Sequence, residues 1–347
     1  MTILSKDTFP LAFEDEIALE DFMTLPSQAL IDDLARLEGD IMILGVGGKM
    51  GPTLARLAKR AAPDKRVIGV ARFTDPAVAD KLQSWGVETI TCDLLDEAAV
   101  SELPQIPNII FMAGRKFGTT GSEELTWAMN VEVPAIVAKT FTNSRVVVFS
   151  TGCVYPFVSI TSGGASEDTP PLPPAGEYAY SCLGRERMFD YFSRQNGNSV
   201  LMYRLNYAID MRYGVLYDIA SKVWNEEAID LGMGHVNVIW QGDAISQALR
   251  CLHLCENPAS VLNVSGAETL EVKSLAEAFG SVMGKKPQFT GTPAPMAWLS
   301  NTEKAVGLFG LAVVDTDTMI GWVADWVSRG QASLGKPTHY EARDGSY

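Results

Sequence analysis

The chain has 347 residues, 47% apolar and 20% charged, which supports a sizeable core and excludes wholesale disorder; at about 150 residues per domain the length suggests roughly two domains. Its 28 Lys and Arg against 42 Asp and Glu give a net charge of -14, which repels phosphate backbones and anionic lipid, so neither nucleic acid nor a membrane surface is an expected partner. No apolar run approaches the ~18 residues that span a bilayer, Met1 to Glu16 lacks the basic flank and apolar stretch of a secretory leader, and the five scattered cysteines suit reduced thiols in a cytoplasmic protein.

Residues 1–39 are acidic, with Leu30, Leu34 and Leu37 on one face of an expected amphipathic helix. Ile41 to Leu44 follows as a short apolar run, the pattern of a parallel strand buried on both faces. Strand and helix then alternate. Helices are expected over Pro52–Ala62, Asp75–Trp85 and Glu123–Phe141, and strands over Val67–Val70, Glu88–Cys92, Ile109–Met112 and Arg145–Ser150. Ser162–Gly176, rich in Gly, Pro and Ser, is a loop. A helix over Tyr178–Gln195 and a strand over Ser199–Leu205 come next. Beyond that the alternation thins to helices near 243–255, 271–283, 302–308 and 316–329, with short strands at 236–240 and 260–264. Such alternation predicts an α/β fold with a doubly wound parallel sheet of Rossmann type. The polar tail, Gly335 to Tyr347, is left open between a mobile segment and a docked one.

Gly45-Val46-Gly47-Gly48-Lys49-Met50-Gly51 directly follows the first strand and opens a helix, fitting G-x-x-G-x-x-G. Glycines there permit a tight turn, close approach of a pyrophosphate and close helix–sheet packing, and a helix N-terminus favours the anion. Lys49 would add a charge-assisted contact, and Pro52 suits the first helical turn. Where an acid that binds the ribose 2′-hydroxyl is expected, the second strand ends Val70-Ala71-Arg72. Arg72 in place of a carboxylate favours the 2′-phosphate of NADP over NAD.

From Ile41 to about Val327 several stretches together resemble the extended short-chain dehydrogenase/reductases, the NAD-dependent epimerase/dehydratase type. They are Asp93-Leu94 after the third strand, Phe111-Met112-Ala113-Gly114 after the fourth, Met129-Asn130-Val131, and Phe149-Ser150-Thr151-Gly152-Cys153-Val154-Tyr155. The resemblance implies that Gly45, Gly48, Lys49, Met50, Gly51, Arg72, Asp93, Leu94, Ala113, Gly114, Lys116 and Tyr178 bind the cofactor. It implies that Thr151 and Tyr178 are catalytic, and that Thr151 and Asn206 meet the substrate. Residues 1–39 are then an N-terminal helical extension, 40–205 the dinucleotide-binding domain, and 206–347 a smaller substrate-binding lobe and tail interleaved with it. A homodimer through the helices after the fourth and fifth strands is implied as well. Phe117, Thr119, Thr120 and Trp127 fall in the loop that shapes the substrate pocket in such proteins.

The family's Tyr-x-x-x-Lys is broken. In Tyr178-Ala179-Tyr180-Ser181-Cys182, Cys182 stands where the lysine belongs, and the register from Tyr180 places Gly184 there. Tyrosine has an unperturbed pKa near 10, and a neighbouring ammonium would lower it toward the working range. Three readings stay open: a stand-in cation (Lys116, Lys49 or Arg185), a tyrosine working without one, or a non-catalytic NAD(P)-binding protein that reports redox state. The enzyme reading is an NAD(P)-dependent oxidoreductase, epimerase or dehydratase acting on a sugar, a sugar acid or a similar small hydroxylated compound.

Among weaker signals, Asp243 suits a helix N-cap, and Arg212 and Tyr213 face the expected cleft. Cys251-x-His253-x-Cys255 puts its cysteines and its histidine on opposite helix faces, so no metal site is expected. Trp322 and Trp326, four residues apart, read as core.

Overall fold

The computed structural model describes residues 2–116, 118, 121–174 and 176–343. Seven parallel strands form the central sheet, in the spatial order Ser260–Val264, Ser199–Leu205, Arg145–Thr151, Asn108–Phe111, Ile41–Leu44, Val67–Ala71 and Glu88–Thr91. Strand order reverses between Ile41–Leu44 and Asn108–Phe111, the switch point at which sheets of this kind open a crevice beyond their strand C-termini. Ile41, Met42, Ile43 and Leu44 are all fully buried, as helices on both faces of the sheet require.

The expected helix over Glu123–Phe141 is continuous but not uniform. Glu123–Trp127 and Val133–Thr140 are α-helical, and Ala128–Glu132 between them is a π-turn. That wide turn carries Asn130 inward. Its amide accepts the Arg115 N–H at 2.8 Å and donates to the Arg115 carbonyl at 2.9 Å and to the Ser181 hydroxyl at 2.9 Å. Single π-turns inside α-helices concentrate at functional sites.

Three α-helices lie where the sequence pattern showed none, Glu16–Met23, Glu97–Ser101 and Val215–Trp224. The first is short and N-capped by Asp15, and tertiary packing holds it. Phe9, Phe13 and Phe22 pack with Trp240 and Trp322, ring centroids 5.0–6.3 Å apart, which fastens the N-terminal segment to the C-terminal half. Trp322 and Trp326 are both buried. The expected strand at 236–240 is two separate two-residue strands, His235–Val236 and Ile239–Trp240.

The tail docks on the body. Leu334 N–H donates to the Arg212 carbonyl at 3.1 Å, Thr338 N–H to the Asp218 carboxylate at 2.8 Å, and Tyr340 is buried. No helix among the described residues is long and apolar enough to cross a membrane. His253 bonds the Asp33 carbonyl at 2.8 Å, and among the described residues no group of His, Cys, Asp or Glu is arranged to hold a metal.

Candidate functional site

The crevice above the switch point divides into two chambers that share Gly45, Gly48, Met112 and Gly114. The glycine loop forms their common floor. Gly45 has φ +87°, and a Cβ on it would lie 2.5 Å from the Ala113 nitrogen. A Cβ on Gly51 would lie 2.1 Å from the Val46 carbonyl oxygen, so the turn into the helix Gly51–Ala61 tolerates no side chain. Gly48 meets only its own loop, 3.6 Å from the Gly45 oxygen. The loop therefore presents bare backbone at a helix N-terminus, and its residues fit a dinucleotide pyrophosphate.

The outer chamber, about 270 Å³, is lined by Ala71, Arg72, Asp93, Leu94 and Ala113 beside the glycines. Ala71 ends its strand facing Gly47 and supplies no carboxylate; Arg72 is exposed at the rim. The nearby Asp75 carboxylate accepts the Ala77 N–H at 3.0 Å as a helix cap.

The inner chamber, about 410 Å³, brings together Lys49, Met50, Gly51, Gly114, Lys116, Thr151, Tyr178, Arg185, Asn206 and Tyr213. Thr151 is the last residue of its strand, and its hydroxyl accepts the Cys153 N–H at 3.2 Å. Tyr178 sits in the first turn of the helix Glu177–Asn196, with its phenol hydrogen-bonded to Thr151. Burial raises the Tyr178 phenol well above its ordinary value, the Cys182 and Cys153 thiols add to that, and Arg185 and the Thr151 bond oppose it. The phenol is neutral across the neutral range. Asn206 is buried beside Gly152 and donates to the Trp298 carbonyl at 3.4 Å.

Cys182 is fully buried among Val154, Tyr155 and Ala165. Burial pushes its thiol up to about 11, so it is neither a thiolate nucleophile nor a cation substitute at neutral pH. Of the three stand-in cations, Arg185 is placed to act on the tyrosine, since its charge opposes the upward shift of both Tyr178 and Cys182. It is buried, donating to the Phe149 carbonyl at 2.6 Å and to Asn130 Oδ1 at 2.8 Å, while its Nε has no partner among the described residues. Its guanidinium passes so close under Gly114 that a Cβ there would lie 2.1 Å from Nη2. Lys116 Nζ is 6.0 Å from the Tyr178 ring centroid and 3.5 Å from the Tyr213 hydroxyl. Lys49 Nζ lies 3.9 Å over the Tyr213 ring. Burial lowers its pKa to about 7; Asp210 raises it, and Lys116 and Arg212 lower it further.

Three expectations need correction. Arg212 does not face the cleft: it is buried in a carboxylate cluster, bonded to Asp210 at 3.0 and 2.8 Å, Glu16 at 2.8 Å and Glu20 at 3.1 Å. Asp243 is not a cap; it lies inside the first turn of Gln241–Arg250, accepts the Val314 N–H at 3.1 Å, and is raised to about 6 by burial. Trp127 is outside the chamber, its indole bonded to Glu177 at 2.5 Å, whereas Phe117, Thr119 and Thr120 lie outside the described residues. Lys336 and Thr338 of the tail line the inner chamber although nothing in their sequence context marks them.

These features define an α/β protein with a dinucleotide-type crevice and a Thr–Tyr pair at its inner end. Residues 41–209, just under half of the chain, match the NAD dependent epimerase/dehydratase family. No curated protein matches the sequence. Solved structures similar to it include UDP-glucuronic acid 4-epimerase from Bacillus cereus in complex with NAD, at 18% identity and TM-score 0.69, over 84% of this chain and 99% of that one. UDP-glucose 4-epimerase from Thermotoga maritima, with UDP-glucose, is 15% identical at TM-score 0.69 over the same shares. dTDP-glucose 4,6-dehydratase from Bacillus anthracis, in complex with NAD, is 14% identical at TM-score 0.70, over 84% and 97%. At these identities the likeness is one of fold.

Proposed function

We propose that the chain is a cytoplasmic, NADP-dependent oxidoreductase, epimerase or dehydratase of a small hydroxylated compound, a sugar or sugar acid, working as a homodimer. The observation that carries this reading is the Thr151–Tyr178 hydroxyl pair in the chamber that shares its floor with the glycine loop. Gly45, Gly48 and Gly51 would admit the pyrophosphate, and Asp93 and Leu94 would border the adenine. Two of the similar structures carry NAD; here Ala71 and Arg72 favour the 2′-phosphate.

A bound nicotinamide supplies or takes a hydride. Thr151 and Asn206 would orient the substrate oxygen. Tyr178, holding its proton through the neutral range, is set to donate it to a carbonyl oxygen; in the reverse direction Arg185 is the positive charge that stabilises the phenolate. Leu125, Trp127, Tyr180 and Tyr191 leave exposed apolar surface on the helices at Glu123–Thr140 and Glu177–Asn196, which suits a dimer face.

The test is NADPH binding by fluorescence, followed by incubation of the NADP-loaded protein with polyols, sugars and sugar acids, reading NADPH formation for net oxidation and product by NMR for epimerisation or dehydration, which leave no net NADPH. Turnover supports the enzyme. Tight NADPH binding with no turnover on any of them supports the non-catalytic alternative, and no NADPH binding refutes both.

A further inference from the structure

The inner chamber is cationic in a protein of net charge -14. Lys49, Arg115, Lys116, Arg185 and Lys336 line it, and among the described residues no Asp or Glu does. Arg185 is committed to Phe149 and Asn130, and Arg115 to the Gly118 carbonyl at 2.7 Å. The three lysines come from separate parts of the chain: the glycine loop, the turn after Asn108–Phe111, and the tail. Lys49 and Lys116 converge on one side chain, Tyr213, from its face and its hydroxyl. Asp210, whose charge favours protonation of Lys49, makes two bonds to the Arg212 guanidinium and a third to the Arg212 N–H at 2.9 Å. The Lys116 charge disfavours protonation of the buried Lys49, and a bound anion would offset that effect.

Lys336 reaches the chamber because the tail is fastened down around it. Thr338 is bonded to Asp218, Lys222 pairs with Glu341 at 3.2 Å, and the Arg343 guanidinium lies 4.2 Å from the Phe157 ring centroid and donates to the Met296 carbonyl at 2.9 Å. The tail is therefore a fixed wall of the site.

We infer that the substrate carries an anionic end-group, a carboxylate or a phosphate, and that Lys49, Lys116 and Lys336 hold it against the Tyr213 wall. This rests on the proposed function, because that reading places the reacting hydroxyl at Thr151 and Tyr178 in the same chamber. The chain would thus select a charged polyol over its neutral counterpart.

Three probes on one carbon skeleton test it: D-gluconate, D-glucitol 6-phosphate and neutral D-glucitol, each titrated calorimetrically into NADPH-loaded protein. NADPH affinity is measured first, so failure to bind cofactor refutes the proposed function and is told apart from failure here. At least one anion is expected to bind about tenfold or more tighter than glucitol, and whichever does so identifies the end-group. Lys336→Ala should remove about tenfold of that preference while NADPH still binds, and Lys336→Arg should restore it. Equal affinity for all three probes overturns the inference, as does an anion that binds only by displacing NADPH, because the lysines would then serve the cofactor's phosphates.

Discussion

Replacing Arg212 with Met keeps the side-chain volume and removes the charge that organises the loop at the chamber's Tyr213 wall. In the native protein the Arg212 guanidinium neutralises Asp210, whose side chain is 1% exposed, and Glu20, which is 9% exposed and also holds Lys81 at 2.6 Å. After substitution Glu20 keeps its lysine and Asp210 is left buried without its partner. Breaking a buried pair from one side costs about 3–5 kcal/mol. Unfolding entropy of about 2.1 cal/mol/K per residue over 347 residues then gives a fall in Tm of about 4–7 °C, read by calorimetry. The site should respond too. Arg212 lowers the Lys49 pKa and Asp210 raises it, so removing the arginine and releasing the aspartate both move Lys49 up from about 7. Lysine-labelled NMR titration reads that shift. A Tm within a degree of native, or a Lys49 titration that does not move, would refute the linkage between this cluster and the chamber.

Arg72→Ala should weaken NADP binding about tenfold or more and leave NAD binding nearly unchanged, because only the 2′-phosphate loses a charge-assisted bond; equal losses for both cofactors would contradict the NADP assignment. Tyr191→Glu places a charge on the exposed face of the Glu177–Asn196 helix and should convert dimer to monomer in light scattering, whereas a monomeric native protein would remove the dimer from the account. Anion affinity should depend on pH through Lys49, which faces Asp210, Lys116, Arg212 and Tyr213 and shares its chamber with Lys336. A bound anion holds Lys49 protonated and raises its pKa above the free value of about 7, so affinity is level below pH 7 and falls as pH rises past it. Gluconate binding that stays level from pH 6 to 9 would show that Lys49 does not contact the anion.

Much of the architecture is legible in the sequence, for a physical reason. Strands buried on both faces must be short apolar runs, so Ile41–Leu44 and Arg145–Thr151 announce themselves. The glycine loop is legible because steric exclusion acts within a few residues, as Gly51 shows against Val46. What escapes is long-range. Glu16–Met23 is too short to carry a clear period and is held by aromatic packing more than two hundred residues away. Val215–Trp224 does carry the spacing, with Val215, Ile219 and Val223 buried in one row, but it sits where strand–helix alternation has lapsed. At the site, Thr151 and Tyr178 could be picked out by pattern. The pairing of Arg212 with Glu16 and Glu20, and the arrival of Lys336 from a polar tail, depend on contacts that local sequence does not encode.

In the proposed reaction the Tyr178 hydroxyl carries the proton. The direct measurement is turnover of Tyr178→Phe against native protein, read as product formed from the compound that the native protein turns over fastest, with NADPH affinity measured alongside. Removing one hydroxyl beside Thr151 should lower the rate about 10²–10⁴-fold while NADPH still binds; full turnover by Tyr178→Phe would contradict the assignment.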